Sequence, residues 1–261
     1  MTFFESLFLG IVQGIAEFFP ISSSAHLKLV KLFFKSDIIN DLYLFDLVCH
    51  LGTLFVSIIF LRKEIVKILK EKSDIYLIFF AILPLIPFYF FFKPVTEFLS
   101  KGYFLPFFLL FTSILIYVSS KIKIEKTDQI SYKRKIKDVL LIGFMQAIAL
   151  IPGISRSAST ITSAYLRGWE VSKAIRFSFI LAIPTVLGGA FLESLKHLMK
   201  HEISYQINIS SYIIGFIASF LVGMFSIRYI LSIKTIEKLR PFAWYLFILA
   251  IFSFIYLNFV K

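Results

Sequence analysis

Long apolar runs dominate the chain, and the few polar residues inside them are unevenly placed. Crossing about 30 Å of hydrocarbon takes roughly 20 residues at about 1.5 Å per helical residue. Five runs approach that length: Tyr43–Leu61, Ile75–Phe92, Tyr103–Ser120, Ser211–Ile233 and Phe242–Val260. A sixth, Ala174–Leu192, is interrupted by Pro184 and Gly188-Gly189. It reads as a kinked span, because neighbouring helices satisfy freed backbone groups. Two regions break the pattern. Phe4–Phe19 is apolar but short, carries Gln13 and Glu17, and stops at Pro20, with Ile21–Phe34 following. Val139–Ile151 stops at Pro152-Gly153 and leads into Ser155-Arg156-Ser157. Broken short helices with polar tips predict re-entrant hairpins; two ordinary spans in each place is the alternative.

The two irregular regions resemble each other. Aligning Gly10–Leu27 with Gly143–Thr160, without a gap and at an offset of 133, gives eight identities in 18 positions. They are Gly10/Gly143, Gln13/Gln146, Ile15/Ile148, Ala16/Ala149, Ile21/Ile154, Ser22/Ser155, Ser24/Ser157 and Ala25/Ala158. The small apolar matches carry little weight; the shared Gln and Ser-x-Ser-Ala carry more. They predict an internal duplication within one membrane domain, 1–261, with halves 1–120 and 138–261 joined by a basic connection, 121–137.

Loop charge orients the halves. Residues 62–74 hold five Lys or Arg, 93–102 two, 121–137 seven, 193–210 two and 234–240 three. The positive-inside bias places 62–74, 121–137 and 234–240 in the cytoplasm. That closes if one span and one hairpin separate residues 137 and 193. The hairpins then open to opposite sides, an inverted-topology repeat whose tips meet near the midplane. Lys28, Lys31 and Lys35 fall on the outer side, against the bias. The expected fold class is an all-α polytopic membrane protein with about six transmembrane helices plus two re-entrant helical hairpins.

Composition agrees. The chain is 58% hydrophobic and 17% charged, with 33 Phe and a mean hydropathy of +0.85. That apolar surplus excludes a soluble globule, a disordered chain and a disulfide scaffold. The first 25 residues lack a basic leading stretch and carry Glu5 and Glu17, so they do not read as a cleavable signal. The net charge of +12 suits anionic lipid headgroups better than nucleic acid. Cys49, the single cysteine, reads as packing.

The candidate chemistry lies at the two hairpin tips. Gln13 and Glu17, spaced i, i+4, share a helix face, and beyond Pro20 come Ser22, Ser23, Ser24 and His26. A carboxylate within a membrane segment marks a functional site by default. Arg156, flanked by Ser155 and Ser157 with Ser159 and Thr160 beyond, offers a guanidinium, hydroxyls and a helix N-terminus to one anion. A purely stabilising Glu17–Arg156 pair is the structural alternative; both readings place the two together. Asp46 and His50 read as a packing or interfacial pair, and Arg167, Lys173 and Arg176 as headgroup-facing. His197 and His201, near Glu193, read as a solvated loop rather than a metal site.

These motifs resemble a known family. Gln13-Gly14-Ile15-Ala16-Glu17-Phe18-Phe19-Pro20-Ile21-Ser22-Ser23-Ser24-Ala25-His26 is similar to the first motif of the BacA-type undecaprenyl-diphosphate phosphatases, and Pro152-Gly153-Ile154-Ser155-Arg156-Ser157 to the second. Phe177–Pro184 resembles the family's following span. The resemblance implies inverted repeats with two re-entrant hairpins and a bacterial plasma-membrane enzyme facing the periplasm or exterior. It implies hydrolysis of undecaprenyl diphosphate to the monophosphate and inorganic phosphate, recycling the cell-wall lipid carrier, with an association with bacitracin resistance. It also implies a divalent cation, Mg2+ or Ca2+.

By resemblance, Glu17 is the metal-binding acid, His26 the essential histidine, Arg156 the phosphate-binding arginine and Ser23 a proposed nucleophile. Gln13 stands where the family has Glu or Gln, and supplies a neutral oxygen only. Ala25 and Ala158 replace usual glycines. The expected chemistry is metal-assisted phosphoryl transfer: Glu17 with Gln13 on the cation, and Arg156, Ser155, Ser157, Thr160, Ser22 and Ser24 on the phosphates. His26 serves as base or nucleophile, with Ser23 or water as the other candidates for nucleophile. The expected partners are the substrate, membrane lipid and a second copy of the chain in a homodimer, with no nucleic acid. A transporter or lipid flippase using the same polar tips is the rival function.

Overall fold

The computed structural model describes residues 1–34, 43–124, 131–200 and 208–260, and every regular element among them is helical. The chain opens on α1 (Phe3–Ala16), α2 (Ser23–Phe34), α3 (Tyr43–Phe60) and α4 (Arg62–Lys70). It continues through α5 (Lys72–Ile82), α6 (Leu85–Phe91), α7 (Lys93–Leu99) and α8 (Leu105–Lys121). After residue 131 come α9 (Tyr132–Ile148), α10 (Arg156–Leu166), α11 (Val171–Lys200), α12 (Ile209–Leu231) and α13 (Arg240–Ile255).

Among the described residues, five segments are long and apolar enough to cross a membrane: Lys72–Phe91, Gly102–Lys121, Val171–Leu192, Ile209–Leu231 and Ile236–Asn258. A sixth is counted when α3 and α4, bent by 72° at Leu61, are taken together. The six expected spans therefore correspond to helices, with local differences. The stretch 62–70, expected as loop, is helical, and the span after it turns at Leu83-Pro84. Helix α11 runs unbroken past Pro184 and Gly188-Gly189, and the Thr185 hydroxyl donates to Leu181 O at 3.0 Å beside the proline. Outward faces carry large exposed apolar residues such as Phe107, Phe191, Phe225 and Ile248, as a lipid-bathed surface requires.

The two short hairpins are α1–α2 and α9–α10. Helix α1 starts on a capping box, with the Thr2 hydroxyl accepting from Glu5 N–H and the Glu5 carboxylate from Thr2 N–H. At about 1.5 Å per residue, α2 and α10 reach only about half of the hydrocarbon thickness. Helix α10 is enclosed on all sides from Ser157 to Ala164 despite its hydroxyls. Two of those hydroxyls return to their own helix, Thr162 Oγ1 to Ala158 O at 2.7 Å and Ser163 Oγ to Thr160 O at 3.1 Å.

Helix contacts occur in related pairs. Helix α1 packs on α12 while its counterpart α9 packs on α5, and α8 packs on α13. Close approach explains two of the repeat-matched small residues. A Cβ on Gly10 would sit 2.7 Å from Gly215 O, and one on Gly143 would run into the Ala81 carbonyl. Gly14, one turn on, faces Ser219 O at 2.8 Å from the same hypothetical atom. These are small-residue helix contacts of the membrane type. Gly14→Val is expected to lower stability by about 1–3 kcal/mol, because backbone cannot yield, and thermal unfolding in detergent reads this directly.

Polar contacts sort the loops to two ends. Tyr132 OH donates to Ser73 O at 3.2 Å, Tyr165 OH to Ile122 O at 2.8 Å, and Arg240 reaches Ser120 O at 3.1 Å. The three basic loops thus gather at one end of the bundle. Lys28 reaches Ser100 O at the opposite end of α8. Consequently α2 runs from the middle to the Lys28 end and α10 to the basic end, so the hairpins open oppositely. Lys31, contrary to the inside bias, is neutralised by Asp46 at 2.5 Å. Lys35 and His201 lie outside the described residues, as does the His197 side chain.

Candidate active site

The hairpin tips meet in the bundle interior. The first tip leaves α1 at Ala16, turns through 17–21 and passes Ser22 at φ 70° before α2 begins. A left-handed serine is a strained position of the kind that gathers at functional sites. The second tip turns at Gly153, φ 108°, where a Cβ would press within 2.7 Å of Phe108 Cβ, so glycine is required. Ser155 then caps α10, its hydroxyl accepting from Ala158 N–H at 3.2 Å. Ser157 Oγ donates to Phe19 O at 3.3 Å and ties one tip to the other.

Glu17 is the hub. One carboxylate oxygen is held by Arg156 Nη2 from the other half. The other accepts from Gln13 Nε2 at 2.9 Å and Ser23 Oγ at 3.1 Å, and lies 3.2 Å from His50 Nδ1. Gln13 Nε2 is also 2.7 Å from His50 Nδ1. Arg156 Nη1 and Gln13 Oε1 are buried without partners. A cavity of about 330 Å³ adjoins this cluster. Glu17, Arg156, His50, Ser22, Ser23, Ser24, Ser155 and Ser157 line one part of it, with Gln146 beside them, and Leu85, Leu150 and Val186 supply apolar wall.

The structure thus brings together Gln13, Glu17, Ser22, Ser23, Ser24, Ser155, Arg156 and Ser157. It does not bring two expected residues with them. His26 Nδ1 donates to Ser22 O at 2.8 Å and Nε2 pairs with Tyr245 OH at 2.7 Å, with the ring stacked on Tyr245; neither nitrogen faces Ser23. Thr160 lies one turn into α10, its hydroxyl donating to Arg156 O at 2.9 Å and paired with Ser178 Oγ at 2.5 Å. Neither lines the cavity.

His50 corrects the packing or interfacial role expected of it. It joins the site, whereas Asp46 turns to Lys31. Its signal was a histidine inside an apolar run, which carries the same functional presumption as Glu17. Arg167 and Arg176, expected against headgroups, instead pair with Asp138 at 2.6 Å and with Glu64.

At the offset of 133, the two tips can be compared position by position. Ser23 is equivalent to Arg156, and Glu17 to Leu150. The two charged residues of the site, Glu17 and Arg156, both fall at positions where the tips differ.

A charge-paired, hydroxyl-rich pocket where two hairpins of a polytopic helical bundle meet is the arrangement of an integral-membrane protein with a polar site between its tips. The sequence matches the family described as Bacitracin resistance protein BacA over residues 6–252. The undecaprenyl-diphosphatase of Protochlamydia amoebophila (strain UWE25) is 38% identical over 259 residues, covering 98% of this chain and 99% of the relative. That of Thermosipho africanus (strain TCF52B) is 38% identical over 259 residues, covering 94% and 97%. That of Christiangramia forsetii is 33% identical over 269 residues, covering 98% of each. The chain belongs to the BacA family.

Proposed function

We propose that this protein is a membrane phosphatase that hydrolyses undecaprenyl diphosphate to undecaprenyl phosphate and inorganic phosphate. The observation that carries the reading is the Glu17–Arg156 pair set among hydroxyls in the cavity wall. Arg156 keeps Nη1 unpartnered for a phosphoryl oxygen while Nη2 stays on Glu17. The serines of both tips add donors, and α10 directs its positive end to the same space. Leu85, Leu150 and Val186 give the polyprenyl chain an apolar side.

Attack by water or by the Ser23 hydroxyl on the terminal phosphorus forms one P–O bond, passes the attacking proton to Glu17 and breaks the bond to the bridging oxygen, which leaves with the lipid monophosphate; where Ser23 attacks, water then hydrolyses the phosphoserine to release inorganic phosphate. Ser23 is the hydroxyl set against a carboxylate, donating to Glu17. His26 takes part only after its ring leaves Tyr245.

A divalent cation fits the donors present. Among the described residues no group of three or more His, Cys, Asp or Glu gathers. Magnesium needs only one or two protein oxygens when substrate phosphates supply more, and Glu17 with the free Oε1 of Gln13 meets that requirement. Calcium, which takes six to eight oxygens, fits this set less well. A bound cation would neutralise charge on the phosphoryl oxygens. The enzyme would sit in the bacterial plasma membrane, with the basic loops in the cytoplasm and the site reached from the exterior, returning the cell-wall lipid carrier to use and contributing to bacitracin resistance.

Purified protein in detergent, where no gradient exists, is expected to release inorganic phosphate from undecaprenyl diphosphate. EDTA is expected to cut the rate about tenfold or more, with magnesium restoring it. No phosphate release with metal supplied overturns the reading.

A further inference from the structure

Gln146 lies on α9 in the cavity wall at 2% exposure, and neither Nε2 nor Oε1 has a hydrogen-bond partner. A buried amide without partners destabilises a fold, so its retention calls for another cause. Its repeat partner, Gln13, donates to Glu17 four residues on at 2.9 Å. The residue four after Gln146 is Leu150, which accepts nothing with its side chain. The second half has kept the amide and lacks the partner. The same cavity holds a second orphan, Arg156 Nη1. Two residues with unpaired buried donors line one cavity, and an acceptor placed between them would satisfy both.

We propose that Gln146 is a substrate-binding residue. Its Nε2 donates to a phosphoryl oxygen of the diphosphate headgroup alongside Arg156 Nη1. Its Oε1 accepts from a water at the same phosphoryl group. Phosphate oxygens accept and do not donate when ionised, so only the Nε2 end of the amide can face them. A neutral amide also adds a donor beside Arg156 without adding like charge. The assignment rests on the phosphatase reading for the identity of the anion.

Full-length Gln146→Leu and Gln146→Glu test this, with phosphate release from undecaprenyl diphosphate and thermal unfolding measured in one detergent. Gln146→Leu is expected to lose about tenfold to a hundredfold in kcat/KM, the range for a hydrogen bond to a charged group. Its unfolding temperature should be unchanged or higher, because an unsatisfied buried amide is gone. A merely structural glutamine predicts the opposite, with stability falling along with activity. Gln146→Glu should lose at least as much activity, since an acceptor replaces the donor. Inorganic pyrophosphate should raise the unfolding temperature of the wild type and not that of Gln146→Leu. Wild-type kcat/KM in either variant, or an undiminished pyrophosphate shift in Gln146→Leu, overturns the proposal. Wild-type protein that shows the pyrophosphate shift but no turnover would defeat the phosphatase reading while leaving the anion contact standing.

Discussion

Arg156→Ser is expected to reduce phosphate release about 10³-fold or more. Arg156 does two things at once. Through Nη2 it fixes Glu17, and its unpartnered Nη1 is the donor proposed for the phosphoryl oxygens. A serine hydroxyl at this position supplies neither charge nor reach. Arg156→Lys keeps a charge but loses the planar fork, so it should fall between the two. Steady-state kinetics on undecaprenyl diphosphate, with saturating metal, checks both variants. A kcat/KM within tenfold of wild type for Arg156→Ser would show that the guanidinium is structural and that the phosphates bind elsewhere.

Much of the site was legible in the sequence, for a physical reason. Charges inside apolar runs are expensive, so Glu17 and Arg156 stood out without any structure. Their partnership followed from the repeat, which pointed the two tips at each other. The spans were legible because length and hydropathy bound them tightly. Residues whose role depends on a rotamer were not legible. His26 sits two residues after Ser24, yet its ring turns to Tyr245 on α13, a contact 219 positions away in sequence. Thr160 shares the polar run after Arg156, but helical geometry rotates it toward Ser178. His50 reaches Glu17 from α3, a helix whose apolar pattern carries no sign of its place beside the tips. Proline at 184 suggested an interruption, and the backbone continued through it. In a packed membrane bundle, neighbouring helices decide whether a proline breaks a helix.

Glu17→Leu should destabilise the protein by about 3–5 kcal/mol as well as abolish turnover. The pair is largely withdrawn from water, with 10% of the Glu17 side chain and 18% of the Arg156 side chain exposed. Removing the acid leaves Arg156 without its countercharge, and leaves Gln13 and Ser23 without their acceptor. The choice of leucine is set by the repeat, since Leu150 occupies the equivalent place in the other tip. Combining Glu17→Leu with Arg156→Ser makes each tip carry its partner's residue at one diverged position. Arg156 is then no longer left behind as an unpaired charge. The double variant is therefore expected to recover most of the lost stability while remaining inactive. Thermal or denaturant unfolding of the wild type, two singles and double gives the coupling energy, and phosphate release gives activity. Additive losses of stability would mean that the pair does not hold the tips together. A recovered fold without turnover would place the chemistry in the divergence between the halves, and the folding information in what they share.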